Sequence, residues 1–169
     1  LNGLLQTQSN GSIKLMDFID EQRMCRLYEK FILEYYKKEH KELSANSSAI
    51  EWQLNSDNNN MLPAMQSDIM LSKNNHILII DAKYYSHSTL VQYEKHTVHS
   101  ANLYQIFTYV KNKEAELANI ENHKVSGMLL YAKTNDNHLN PNDYQMSGNK
   151  ISVRTLDLNC EFKEIQKQL

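Results

Sequence analysis

The chain has no long apolar run. The longest, Ile77-Leu78-Ile79-Ile80, has the length of a buried strand, far short of the roughly 18 residues a membrane-spanning helix needs. No membrane association is expected, and no secretory signal is visible. Cysteine is scarce: Cys25 and Cys160 are the two present. They make neither a disulfide framework nor a zinc motif. Two reduced cysteines are the expectation for a cytoplasmic protein. Charge of one sign is missing as well. The 18 basic and 20 acidic side chains leave a formal net charge of −2. This excludes a basic field over the whole protein, though not a local basic patch for nucleic acid. No internal repeat at a solenoid period is present.

What is there is an ordinary globular composition, 41% hydrophobic and 22% charged over 169 residues. That suffices for one domain with a real core. The chain opens on Leu1 rather than Met, so it is expected to be a portion of a longer protein. Asparagine collects in turn-forming clusters at Asn58-Asn59-Asn60, Asn74-Asn75 and from Asn135 to Asn142, which read as solvated connections.

Residues 1–15 are weakly patterned, with a turn expected at Asn10-Gly11. A helix is expected from Asp17 to about His40, with an apolar stripe at Met24, Leu27, Tyr28, Phe31, Ile32 and Tyr35. Three strand-like segments follow: Ala49–Leu54, Met65–Leu71 and His76–Tyr85. Asn74-Asn75 reads as a hairpin turn between the last two. A second helix is expected over Val98–Asn119. Strands then follow at Met128–Ala132 and Lys150–Leu156, and a short helix at Glu161–Leu169. An antiparallel meander followed by a helical crossover gives an α/β fold, a mixed sheet flanked by helices.

Chemistry concentrates where the apolar strand ends, at Ile79-Ile80-Asp81-Ala82-Lys83. Strand alternation puts Asp81 and Lys83 on one face, roughly 6.5 Å apart along the backbone. An ionisable pair directly after a buried run is costly unless it has partners or a metal. Asp68, on the preceding segment, approaches Asp81 if the two strands pair. Two converging carboxylates repel, a divalent cation relieves the repulsion, and oxygen-only ligands favour Mg²⁺. A lysine beside them can orient water or stabilise charge on a phosphoryl group. The same residues also fit a plain surface ion pair at a strand end. Glu29 lies one position off the first helix's stripe, either as a ligand or supporting acid or as a solvated glutamate. Gln105 and Tyr109, at i and i+4, share a helix row. They could contact phosphate or base, or form an ordinary amphipathic flank.

With these residues placed, the chain resembles the PD-(D/E)xK nuclease domain of the McrC family, the nuclease subunit of McrBC-type modification-dependent restriction systems. The segments that carry the likeness are Asp17–Glu21 through Leu27–Phe31, Leu62–Ile69, Ile79–Tyr85 and Leu103–Tyr109. Together they span about residues 17 to 132. Gln105-x-x-x-Tyr109 is also similar to a helix motif of RecB-like nucleases. The family pattern often has Pro just before the first Asp. Here Pro63 stands five residues before Asp68, and Ser67 is adjacent.

The resemblance implies a restriction-endonuclease-like core of order α-β-β-β-α-β. Residues 1–15 would be an N-terminal extension or the remnant of an upstream region, and 16–169 the nuclease domain. Asp68 and Asp81 would bind Mg²⁺, with Mn²⁺ as a substitute, and the Ala82 carbonyl would be an extra ligand. Lys83 would position water or stabilise the transition state. Glu29 would join the catalytic set, and Gln105 and Tyr109 would be accessory or DNA-binding. The implied partners are methylated double-stranded DNA and a McrB-like AAA+ GTPase. The chain itself lacks a G-x-x-x-x-G-K-[ST] loop, so GTP use would belong to the partner. Two rival readings are a RecB-like repair or recombination nuclease and a catalytically silent scaffold that stimulates the GTPase.

Other residues are weaker candidates. Seven histidines are scattered without metal-ligand spacing to cysteine. Among them, His96 and His99 lie near the start of the second helix. Tyr84 and Tyr85 could pack at the sheet edge or stack on a base. Lys37, Lys38, Lys41, Lys111 and Lys113 are candidate phosphate contacts.

Overall fold

The computed structural model describes residues 10–56, 59–85, 90–92, 95–133 and 139–169. Residues 1–9 of the expected extension, Asn58, His87, His138, Asn135 and Asn137 lie outside them. In chain order the elements are α1 (Asn10–Glu39), β1 (Ala49–Ile50), β2 (Met65–Gln66), β3 (Ile69–Lys73) and β4 (His76–Lys83). There follow β5 (Leu90–Gln92), β6 (Lys95–Thr97), α2 (Ser100–Glu116), β7 (Lys124–Ala132), β8 (Asn142–Met146), β9 (Asn149–Leu156) and α3 (Phe162–Gln168).

The main sheet has the order β3-β4-β7-β9-β8. β3 and β4 form an antiparallel hairpin through Asn74-Asn75, and Asn74 takes the left-handed backbone conformation that asparagine tolerates. β4 then pairs parallel with β7, which requires a crossover, and α2 is that crossover. β7 and β9 are also parallel, and β8 closes the edge antiparallel to β9. The result is the expected mixed α/β sheet flanked by helices.

The apolar run of β4 forces both faces of the sheet to be covered. Ile80 and Ala82 pack into one core with Tyr28, Ile32, Tyr35 and Tyr36 of α1. Ile79 packs into the other with Ile106 and Val110 of α2, and with Leu129 and Tyr131 of β7. Each fully buried aliphatic side chain contributes about 1.5–3 kcal/mol relative to exposure, so the two helices are held mainly by these contacts. On α1 the buried line is rotated from the expected stripe. Tyr28, Ile32, Tyr35 and Tyr36 are buried, whereas Leu27 is 60% and Met24 37% exposed.

Several expectations are corrected. Asn10-Gly11 is no turn but the first residues of α1, a weak local preference overridden by the helix that follows. The strand expected over Ala49–Leu54 stops at Ile50. Beyond it the chain bonds elsewhere: Trp52 Nε1 donates to the Pro63 carbonyl, and the Gln53 N–H to the Asn112 side chain. The segment Met65–Leu71 is broken at Ser67-Asp68, so β1–β2 is a separate two-stranded sheet and the three-strand meander is not formed. The buried Ser67 causes this break. Its N–H donates to the Ser48 carbonyl, while its hydroxyl accepts from the Ser48 N–H. β5, β6 and β8 were not anticipated. β8 is a polar, mostly exposed edge strand, tied to β9 by ion pairs from Asp143 to Lys150 and Arg154.

The approach of α2 to the sheet is set by Gly127 on β7. A Cβ there would lie 2.8 Å from Ile106 Cγ1, 2.9 Å from Val110 Cγ2 and 3.0 Å from Ile151 Cδ1. Gly127→Ala is therefore expected to destabilise the fold by about 1–3 kcal/mol through overpacking, measured by urea unfolding. An unchanged midpoint would show that α2 moves away freely.

Candidate active site

The break between β2 and β3 has a chemical consequence. β3 pairs with β4 from Ile69 opposite Ile80. Asp68, in the bend just before Ile69, therefore sits beside the end of β4. Its Oδ2 accepts a hydrogen bond from the Ala82 N–H at 2.8 Å. A carboxylate is thus fixed at the strand end by a backbone donor, next to Asp81.

Asp81 is almost fully buried at 2% exposure. Its Oδ1 meets Lys83 Nζ at 2.8 Å. Its Oδ2 is buried with no hydrogen-bond partner. Burial first, and the neighbouring Asp68 carboxylate second, push the Asp81 carboxyl up to about 7 against the pull of Lys83. Burial also pushes the Lys83 ammonium down, but Asp81 and Asp68 outweigh it and hold that group above its ordinary range.

From the other side, α2 reaches the same ammonium. Lys83 Nζ donates to Gln105 Oε1 at 3.2 Å, and Gln105 Nε2 donates to the Tyr109 hydroxyl at 2.9 Å. The i, i+4 pair is therefore a hydrogen-bonded unit that holds the lysine rather than a solvated flank. Asp68, Asp81, Ala82, Lys83, Gln105 and Tyr109 are brought together.

Glu29 is half-buried on α1. Burial, then the Asp68 carboxylate, raise its carboxyl above the ordinary range, while Lys83 and Arg26 oppose the rise. It feels the site electrostatically, yet no group of three or more acidic, histidine or cysteine side chains close enough to hold a metal is found among the described residues. The donor set in hand is two carboxylates. An unpartnered buried oxygen on Asp81 and a second carboxylate beside it fit a divalent cation with oxygen ligands.

The expected phosphate lysines fare less well. Lys37, Lys38, Lys111 and Lys113 are each in an ion pair with a glutamate of their own helix, and so form no uncompensated basic patch. Tyr84 is half-buried against the Tyr28 ring at 6.3 Å. Cys25 and Cys160 are both free thiols.

The model of the McrBC 5-methylcytosine restriction system component family matches residues 16–132. The chain belongs to this family. Among curated proteins it is 30% identical to the type IV methyl-directed restriction enzyme EcoKMcrBC of Escherichia coli K12, over 100% of this chain and 48% of that protein. It thus spans about half the length of that relative. A chain of the solved half-complex from the tetradecameric assembly of Thermococcus gammatolerans McrB AAA+ hexamers with bound McrC shares the fold. The TM-score is 0.57 at 14% identity, covering 85% of this chain and 31% of that one. The McrC resemblance read from the residues therefore holds. The family match covers every residue gathered at the strand end, whereas β8, β9 and α3 lie beyond it.

Two buried polar side chains of this McrBC-family chain escaped the sequence reading. Asn102 of α2 donates from Nδ2 to the Tyr131 hydroxyl at 3.0 Å, and its Oδ1 accepts from the Tyr85 hydroxyl at 3.3 Å. The available signal was Asn102's position three residues before Gln105, on the same helix row.

The buried carboxyl has a measurable signature. In the unfolded chain Asp81 ionises near 4, whereas in the fold it holds its proton to about 7. Its favourable contribution is full below about 4 and is lost as pH rises through about 7. With chelator present, the wild type is expected to lose on the order of 1 kcal/mol more stability than Asp81→Asn between about pH 5.5 and about pH 8. Urea unfolding at the two pH values checks this. Parallel losses would contradict it.

Proposed function

We propose that this domain is the metal-dependent endonuclease of a McrBC-type restriction system, hydrolysing phosphodiesters of methylated double-stranded DNA. The observation that carries the reading is the convergence of Asp68 and Asp81 beside Lys83, with one Asp81 oxygen buried and unpartnered. A fold does not by itself imply a chemistry, but this donor set at a strand end suits phosphoryl chemistry. Family membership adds the restriction context.

Asp68 and Asp81, with the Ala82 carbonyl, would hold Mg²⁺ or Mn²⁺. When bound, such a cation supplies Lewis-acid polarisation of a phosphoryl oxygen and a water acidified toward neutrality. The chain's own residues do the rest. The Ala82 N–H holds Asp68 aimed at the site. Lys83, held charged by Asp81 and Asp68, offers a fixed cation where negative charge develops on the phosphate. Gln105 and Tyr109 restrain that cation from α2. Glu29 on α1, whose carboxyl is raised by burial and by the Asp68 carboxylate, would be a further acidic group coupled electrostatically to the site.

Recognition and movement along DNA would come from a McrB-like AAA+ GTPase. Two similar proteins support this: one is a methyl-directed restriction enzyme, the other McrC bound to McrB AAA+ hexamers. The Gln105–Tyr109 unit would serve a RecB-like repair nuclease equally well, but the family match favours restriction. A silent scaffold would have no need of the intact Asp68, Asp81 and Lys83 set.

The test is cleavage of methylated and unmethylated plasmid in Mg²⁺, with the AAA+ partner and GTP, by wild type and Asp81→Ala. GTP-dependent cutting of methylated DNA that falls at least about 100-fold in the variant is expected. Equal cutting by both proteins would remove the catalytic assignment. Without the partner the domain is expected to cut weakly and without site preference, and vigorous site-specific cutting would contradict the division of labour.

A further inference from the structure

Resting on the nuclease reading, we infer that Asn102 and Tyr131 are positioning residues for Lys83. They lock the register of α2 against the sheet so that Gln105 meets the ammonium.

The argument begins with placement. Lys83 on β4 and Tyr131 on β7 are direct partners in the parallel ladder. Lys83 reaches Gln105 of α2, while Tyr131 packs in the core beneath that same helix. α2 offers Asn102, Gln105 and Tyr109, spaced i, i+3, i+7, so they form one row along the helix. On the adjacent row Ile106 and Val110 are fully buried. The helix–sheet interface is thus apolar along one line and polar along the next.

The two lines do different work. The apolar line, closing on Gly127, sets how near the helix comes. Apolar contact is non-directional, so it tolerates a small slide along the helix axis. The polar line does not. Both ends of the Asn102 amide are used, one by the Tyr131 hydroxyl on β7 and one by the Tyr85 hydroxyl just past β4. Asn102 is 6% exposed and Tyr131 0%. The Tyr85 ring also packs on His99 at the start of α2, with centroids 5.5 Å apart. The N-terminal turn of α2 is thereby pinned to two strands, one turn above Gln105.

Magnitude decides whether this matters. One residue of helix is about 1.5 Å of rise. A slide of that size would break the 3.2 Å contact from Gln105 to Lys83. Lys83 would then keep Asp81 alone and lose its second restraint. Misplacement of a catalytic group by about 1 Å costs on the order of 100-fold in rate.

The test uses the assembled system with AAA+ partner, GTP, Mg²⁺ and methylated plasmid. Tyr131→Phe keeps the ring and removes the acceptor, and Asn102→Ala removes the amide should the first variant fold poorly. Either is expected to lower kcat roughly 10- to 100-fold with little change in KM for DNA, with the melting temperature recorded to correct for unfolded protein. The decisive readout is coupling. In a Gln105→Ala background, Tyr131→Phe is expected to add no further loss of kcat, because the path to Lys83 is already cut. Undiminished kcat in Tyr131→Phe and Asn102→Ala, or full additivity with Gln105→Ala, would overturn the proposal. Asp81→Ala is run alongside. If it cuts as well as wild type, the nuclease reading fails and this proposal with it; if it is dead while Tyr131→Phe is normal, only the positioning role fails.

Discussion

One oxygen atom organises this molecule. Asp81 lies at the end of a strand driven into the core by its own apolar residues, and its Oδ2 is buried without a partner. A carboxylate in that position is unfavourable unless compensated. One-sided compensation by Lys83 leaves the other oxygen exposed to the Asp68 carboxylate, which adds to the strain and raises the Asp81 carboxyl. Natural folds accept such local conflict at functional sites. On the proposed reading, a cation with a preference for oxygen would relieve the conflict.

The rest of the fold reads as the means of keeping that conflict in place. Ser67 breaks the β2–β3 connection and turns Asp68 toward the Ala82 N–H. The crossover through α2 brings Gln105 to the far side of Lys83. Gly127 lets the helix come close enough to do so. α1 covers the opposite face, so that Ile80 and Ala82 anchor β4 while Asp81 and Lys83 lie on the face toward α2.

The legible parts of the sequence were those governed by local rules. The alternation in Ile79-Ile80-Asp81-Ala82-Lys83 places each side chain on the correct face, because strand geometry alone decides it. Asn74-Asn75 makes the hairpin, and with the hairpin Asp68 approaches Asp81. The illegible parts depended on distant partners. The bend at Ser67 is made by Ser48, 19 residues earlier. Asn102 looks like a surface residue until Tyr131, 29 residues later, is folded beneath it. β8 is hard to read because its alternation is limited to Tyr144 and Met146 in a short, mostly exposed edge strand, tied to β9 through Asp143. On α1 the buried line falls at Tyr28, Ile32, Tyr35 and Tyr36, the face the helix lays on the sheet, and leaves Met24 and Leu27 exposed. Four of the lysines read as phosphate contacts, Lys37, Lys38, Lys111 and Lys113, are paired with glutamates on their own helices, three of them at i, i+3.

The central claim is that the Asp68–Asp81 pair exists to hold a divalent cation. Calorimetric titration of chelator-treated protein with Mn²⁺ and with Mg²⁺ tests it most directly, comparing wild type with Asp68→Asn and Asp81→Asn. The account predicts saturable binding by the wild type that is lost in both variants while their folds, read by circular dichroism, are kept. Binding of equal strength in all three proteins would contradict it.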